Sequence, residues 1–423
     1  MKGTQMNTPT TTQTSEPIDF NASQVCQSLL EQTLRQGAQQ MLQGAIEEEV
    51  TNYLHQHREQ CDDKGHRLVV GNGHLPARRV QTGLGPVEIQ QPRVRDKRAD
   101  HQFTSAILPP YLRRVPALDN LIPALYLKGV SMAQMVTALQ PILGEKAGGL
   151  SPTNIQRLLG QWQTDHRQWE QRDLDDQQYV YLWADGIYFN VRLTSDRPCL
   201  LVLVGARADG TKELVAVGDG QRESKLSWQE LLRDLKQRGL TKAPKVAIGD
   251  GALGFWAALE EEYSQTRGQR CWVHKTANVL DKLPRSVQPS AKSRLHDIYL
   301  APTRKAADQA WKNFMDLYEK KYPKACQCLV KDQEALFTFY DFPAEHWTHL
   351  RTTNPIESTF ATVRHRTRQT KGNGSRQATL AMVFQLLRQA EGKWRKLNGS
   401  QQLDKIIAGV IFIDGDEQKQ QAA

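Results

Sequence analysis

The sequence predicts an α/β protein whose central part is a mixed β-sheet, preceded by a mostly helical, basic region and interrupted by an all-helical block. Three observations carry this. Between residues 176 and 285, short apolar runs bounded by Asp-Gly pairs and polar turns alternate with helical periodicity. From Pro284 to Trp347 apolar residues recur at helical intervals alone. Ahead of both, basic residues collect around Gly-punctuated strands and short helices. A chain of 423 residues has room for two or three such domains.

Charge narrows the class. The chain carries 55 Lys and Arg against 46 Asp and Glu, a formal charge of +9, and the basic residues cluster. Clustering points to a polyanion partner rather than to charge that merely solubilises. No apolar run approaches the roughly 20 residues of a membrane span, and none resembles a signal-peptide core, so a membrane location is not expected. Six cysteines in this length indicate a reducing cytoplasm, not a disulfide framework. Cys326 and Cys328 are separated by one residue, fewer than the usual structural zinc spacing.

Residues 1–20 form a Thr/Gln-rich arm whose composition predicts disorder. Residues 21–115 hold the N-terminal helices and a basic hairpin. Val25, Leu29, Leu42, Ile46, Val50 and Tyr53 fall at helical intervals and suggest one or two amphipathic helices, packed on the body or on a second copy. Arg78-Arg79-Val-Gln-Thr and Val87-Glu-Ile-Gln flank Gly83-Leu-Gly-Pro86 as a β-hairpin, followed by Arg93, Arg95, Lys97 and Arg98. That stretch reads either as a solvated charged face or as a phosphate-contacting ribbon. Residues 116–175 resemble a helix-turn-helix: Leu121–Lys128, a break at Gly129, Ser131–Leu139, then Ser151 capping Ile155–Trp162. Asn154, Gln156, Arg157 and Gln161 on the last helix are donors suited to base edges.

In residues 176–285 the expected strands are Tyr179–Asp185, Leu200–Gly205, Glu213–Val217, Lys245–Gly249 and Gln269–Val273, with helices at Ser224–Arg238 and Leu253–Glu262. The last strand leads through His274 into a helix ending near Leu283. Residues 286–347 read as an inserted helical subdomain, because a structureless loop of that length is improbable in a compact domain. Residues 348–400 return to the core and 401–423 form a tail.

Thr352 to Gly374 predicts a helix with Asn354 as cap, Pro355 at its first position and Gly372 to Gly374 ending it. Glu357, Ala361, Arg364 and Arg368 share one side, beside an apolar stripe of Ile356, Phe360, Val363 and Thr367. Glu357 is either half of a capping box with Asn354 or a metal-binding carboxylate beside a phosphate track of Arg364, Arg366, Arg368 and Lys371. Asp185 and Asp250, each followed by Gly, would singly be turn residues. Converging with Glu357, they suit hard divalent cations of the kind that clamp an in-line phosphoryl transfer. His274 is then either a structural residue or a group that bonds the scissile phosphate or a ligand carboxylate.

At these residues the sequence resembles the Mutator-type family of DDE transposases of bacterial insertion sequences. The matching segments are Gln269–Lys275 with Asn278–Pro284, Asp341–Trp347 and Thr353–Phe360. Gly71-Asn-Gly73 with the hairpin through Arg93, and Leu125–Ser131, are also similar. The resemblance implies an RNase H-like catalytic domain interrupted by a helical insertion before the final acid. It places Asp185, Asp250 and Glu357 on the metal-binding triad and Cys271 and His274 on the C/D-x-x-H signature. It further implies Mg²⁺, with Mn²⁺ able to substitute, double-stranded DNA as partner at terminal inverted repeats and target, a dimer or larger synaptic assembly, and a cytoplasmic, nucleoid-associated enzyme. Arg78, Arg79, Arg93, Arg157, Arg364, Arg366, Arg368 and Lys371 would contact that DNA. The rival is a transposase-derived DNA-binding regulator without catalysis.

Overall fold

The computed structural model describes residues 20–99, 101–128, 130–131, 134–135, 139, 152–189, 199–220, 222–369 and 375–418. The chain divides into two compact units, residues 1–122 with 132–154, and residues 123–131 with 155–423. The arm of residues 1–19, Ser151, Lys371 and most of the predicted Ser131–Leu139 helix lie outside the described residues.

The first unit starts with one continuous helix, α1 (Phe20–Gln56). Ile46 of α1 packs against Val80, Val87, Ile89 and Leu108. The predicted hairpin forms from β2 (Arg78–Thr82) and β3 (Gly85–Ile89), with Val80 opposite Val87 and a two-residue turn closed at Thr82 and Gly85. Gly85 has φ +100°, which a side chain would resist. A second antiparallel pair, β1 (Val69–His74) with β4 (Pro92–Asp96), flanks it. Tyr53 of α1 donates to Asp96 at 2.9 Å and Arg98 pairs with Asp96 at 2.6 Å, so Arg98 is held by the fold rather than free for a partner. Two further helices follow in the chain: α2 (Pro116–Leu127) crosses the division between the units at Ile122, and α3 (Pro152–Glu170) belongs to the second unit from Ile155 onward. The latter runs past the expected Trp162 because His166 and Trp169 continue its aromatic stripe onto Phe384.

The second unit holds a five-stranded mixed sheet, as expected. Its order is β7 (Lys212–Gly220), β6 (Cys199–Arg207), β5 (Tyr179–Tyr188), β8 (Val246–Gly249), β9 (Arg267–Arg270). The first three are antiparallel neighbours, and β5, β8 and β9 run parallel. Both faces are covered, so the strands are almost uniformly apolar. On one face Leu182, Ala184, Leu201 and Leu203 meet Trp228 and Leu232 of α4 (Lys225–Gln237) and Phe255 and Ala258 of α5 (Leu253–Glu262). On the other, Tyr181, Trp183, Val202 and Val204 share a core with the helical block α7 (Gln288–Tyr299), α8 (Arg304–Tyr318) and α9 (Pro323–Val330). The same core takes in α10 (Asn354–Gln369) and α11 (Arg376–Glu391). The inserted helices therefore have no separate core of their own.

The expected strand Gln269–Val273 is shorter. Its pairing with the four-residue β8 ends at Gly249 opposite Arg270, Cys271 caps, and α6 (Trp272–Leu280) begins at once. His274 thus lies in the first turn of a helix. The tail is also folded in part: Phe412 is buried, and Asp414 accepts the Arg304 amide at 2.6 Å at the start of α8. No helix among the described residues is long and apolar enough to cross a membrane.

The Asp341–Trp347 segment straps the block to β5. His346 is fully buried; its Nε2 donates to the Gly399 carbonyl at 2.9 Å and its Nδ1 accepts from the Tyr181 hydroxyl at 2.8 Å. Burial lowers its pKa, which keeps the ring in this neutral form. Trp183 in turn donates to the His349 carbonyl at 3.0 Å. His346→Ala leaves a cavity and an unpaired buried hydroxyl, so chemical denaturation should show a loss of about 2–4 kcal/mol; a change within error would show that the strap is slack.

Candidate metal centre

The parallel strands set the site. Ala184, Gly249 and Arg270 form one rung across β5, β8 and β9. The next residues are Asp185, Asp250 and Cys271, so three polar side chains arrive on adjacent strands spaced about 4.8 Å apart. Asp185 lies inside β5 rather than in a turn; it is 7% exposed and its Oδ1 accepts the Gly186 amide at 2.8 Å. Asp250 follows the end of β8, and its Oδ1 accepts the Ala252 amide at 2.8 Å just before α5. Cys271 is buried, with its amide bonded to the Gly249 carbonyl at 2.8 Å.

α10 lays Ile356, Phe360 and Val363, all fully buried, against the core. Its cap is Thr353, one residue earlier than expected: the Glu357 amide donates to the Thr353 carbonyl at 3.0 Å. The Asn354 amide goes to Thr352 Oγ1 at 3.4 Å, so the Asn354 capping box does not form. Thr353 Oγ1 instead donates to Glu357 Oε1 at 2.7 Å and fixes the carboxylate one turn into the helix. There it faces His274, whose Nδ1 is 3.7 Å from Glu357 Oε1. The Cys271 sulfur beside the ring, followed by the Asp185 and Glu357 charges, pushes His274 up to about 9 against its desolvation.

Reading the sequence did not find Glu223. It precedes Ser224, the cap of α4, and looks like an ordinary helix start. A Cβ on Gly186 would lie 2.4 Å from the Glu223 carboxyl carbon, so the glycine beside Asp185 is what admits this acid. Burial, then the charge of Asp250, pushes Glu223 up to about 7. Burial also pushes Asp185 to about 7, with Asp250 and Glu223 adding to it and His274 opposing. Such a surplus of carboxylate oxygens suits a hard divalent cation. Asp250 is braced from behind: the Arg270 guanidinium donates to its carbonyl and lies 3.3 Å from Asp332, which also pairs with Lys275.

The cations divide. Arg79, Arg93, Arg157 and Arg364 are exposed, Arg79 pairing with Glu88 at 3.1 Å. Arg78 is turned inward onto the Leu108 and Pro109 carbonyls at 3.0 and 2.8 Å, which removes it from a phosphate surface. Arg366 is 1% exposed with its guanidinium 4.2 Å from the centre of the Tyr126 ring, because three residues beyond Val363 the helix still faces inward. It is therefore not part of the predicted phosphate track. Arg368 belongs to α10, but its side chain lies outside the described residues, as does Lys371. Beside the first turn of α10 a cleft of about 400 Å³ is lined by Asn354, Ser358, Lys212, Lys393 and Arg395, with no acid among its lining residues.

A mixed α/β sheet with one acid inside a central strand and another just past the end of its parallel neighbour defines a candidate cation-binding centre of hard-oxygen type. The sequence matches the Mutator family of transposases over residues 7–397, and the chain belongs to that family. It is 51% identical over 298 residues, 70% of this chain and 92% of the relative, to the transposase for insertion sequence element IS6120 of Mycolicibacterium smegmatis. It is 50% identical over 281 residues, 66% of this chain and 95% of the relative, to the transposase for insertion sequence element IST2 of Acidithiobacillus ferrooxidans. A simian T-cell lymphotropic virus intasome structure aligns with TM-score 0.16 and 14% identity over 49% of this chain and 66% of that chain, too distant to bear on the fold.

The raised Asp185 carboxyl makes a stability prediction. Its folded pKa of about 7 exceeds the ordinary 3.8, so the folded state holds the proton more tightly and metal-free stability falls as pH rises between those values. In EDTA at pH 8, Asp185→Asn should unfold at higher urea, by about 2–4 kcal/mol, with the advantage shrinking toward pH 4. A variant no more stable than wild type at pH 8 would contradict the cost of burying the Asp185 carboxylate described here.

Proposed function

We propose that this chain cuts and joins DNA at the ends of its own mobile element, using Asp185, Asp250 and Glu357 on an RNase H-like sheet to hold Mg²⁺, or Mn²⁺ in its place. The observation that carries this reading is the rung of β5 and β8 that brings Asp185 and Asp250 together, in a chain of the Mutator transposase family. Asp185 would be shared between two ions and Asp250 and Glu357 would each complete one. When bound, the ions supply Lewis-acid stabilisation of the attacking and leaving oxygens.

The chain's own residues prepare the rest. Burial keeps water from Asp185, Thr353 orients Glu357, and a protonated His274 would donate to a phosphate oxygen. Water attacks the phosphodiester at the element's end and frees a 3′-hydroxyl, which then attacks target DNA. The two in-line displacements share one site. Arg79, Arg93, Arg157, Arg364, Arg368 and Lys371 would contact phosphates, and the exposed Lys393 and Arg395 of the cleft support a polyanion path beside α10. Two ends must meet, so a dimer or larger assembly is required. Leu29, Leu30, Leu34 and Met41, exposed along α1, support that helix as its contact. Free thiols at Cys61, Cys199, Cys271, Cys326 and Cys328 agree with work on DNA in a reducing cytoplasm.

The test uses duplexes copied from inverted repeats flanking the gene. Wild type in Mg²⁺ should cut at the repeat end and join pre-cut ends to target DNA. Asp250→Asn should bind equally well and lose on the order of 10³-fold or more in cutting rate, about 4 kcal/mol of transition-state stabilisation. If wild type binds the repeats and never cuts, the protein is a DNA-binding regulator instead.

A further inference from the structure

Two groups beside the acids are not used by hard-cation chemistry. Cys271 Sγ, a His274 nitrogen and a Glu357 oxygen all lie within 4.8 Å of one another, and their residues are buried, half-buried and half-buried. Ligand atoms on a tetrahedral zinc, with bonds of about 2.0–2.3 Å, sit roughly 3.3–3.8 Å apart. The His274 Nδ1 to Glu357 Oε1 separation of 3.7 Å already matches such an edge. His274 Nδ1 is sealed from solvent and makes no well-formed hydrogen bond, so once the ring loses its proton the Nδ1 lone pair has no donor to accept from. From sequence alone Cys271 and His274 need two more ligands and only Cys326 and Cys328 offer them; folding brings Glu357 as a third from 83 residues downstream of His274.

We propose that Cys271, His274 and Glu357 form a second metal site, selective for a borderline-soft divalent ion such as Zn²⁺, and that filling it withdraws Glu357 from the acid set. Sulfur and imidazole favour Zn²⁺ over Mg²⁺, whereas Asp185 and Asp250 offer oxygen alone. Binding forms Zn–S, Zn–N and Zn–O bonds, and the thiol and imidazolium protons pass to solvent. One carboxylate cannot keep its alignment for two different ions, so the soft ion acts as a brake on the hard-ion reaction. This inference rests on the reading of Glu357 as a member of the acid triad.

Co²⁺ reports the site directly, because a thiolate ligand gives it a near-ultraviolet charge-transfer band. Titrated into the full-length protein in excess Mg²⁺, Co²⁺ should produce that band with an end point at one ion per chain, and Zn²⁺ should abolish it. The near-isosteric Cys271→Ser should lose the band, whereas Cys61→Ser and Cys328→Ser keep it. His274→Asn should weaken Co²⁺ binding at least tenfold. No band in wild type, or a band surviving Cys271→Ser, overturns the site. A wild type that cuts DNA in Mg²⁺ yet shows no band defeats this inference and leaves the transposase reading intact. A wild type with the band that never cuts in Mg²⁺ alone supports the site and removes the reading on which the brake rests.

Discussion

A buried carboxyl, Asp185, is the constraint around which the second unit is arranged. Asp185 is almost fully buried, Asp250 is on the adjacent strand, and Glu223 presses on the glycine that follows Asp185. Burial first, and the neighbouring carboxylates after it, push Asp185 and Glu223 up to about 7, and the parallel sheet holds Asp185 in that setting. A bound cation would offset that cost, which is how a site can be unfavourable for stability and favourable for binding at once.

Rigidity around that charge comes from groups that touch none of the side-chain oxygens of Asp185 and Asp250. Arg270 holds the Asp250 carbonyl while Asp332, delivered by the helical block, is shared between Arg270 and Lys275. His346 and His349 clasp β5 through Tyr181 and Trp183. The long stretch between Asp250 and Glu357 is thus a cover for one sheet face and a brace for the site. It is also the reason a carboxylate far away in sequence, Glu357, comes to lie beside His274.

Much of this was legible in the residues, and the misses have physical causes. Uniformly apolar runs marked the strands, and a stripe of period 3.6 marked the buried side of α10, so Asp185, Asp250 and Glu357 could be placed on their elements. The end of β9 was not legible, because it is set by the length of its partner β8. Nor was the shift of the cap from Asn354 to Thr353, since both residue types cap helices. Arg78 and Arg366 looked like phosphate ligands by charge alone; only packing reveals that one serves a loop and the other an aromatic ring. Glu223 gave no local signal, because its importance lies in the space left by Gly186.

The central claim is that Asp185 stands at the heart of an oxygen-donor cation site. Electron paramagnetic resonance of free Mn²⁺, titrated with the metal-free protein, tests it most directly and without DNA. Wild type should remove the free-ion signal, and Asp185→Asn should bind at least tenfold more weakly while remaining folded. Mn²⁺ affinity unchanged in that variant would contradict the account.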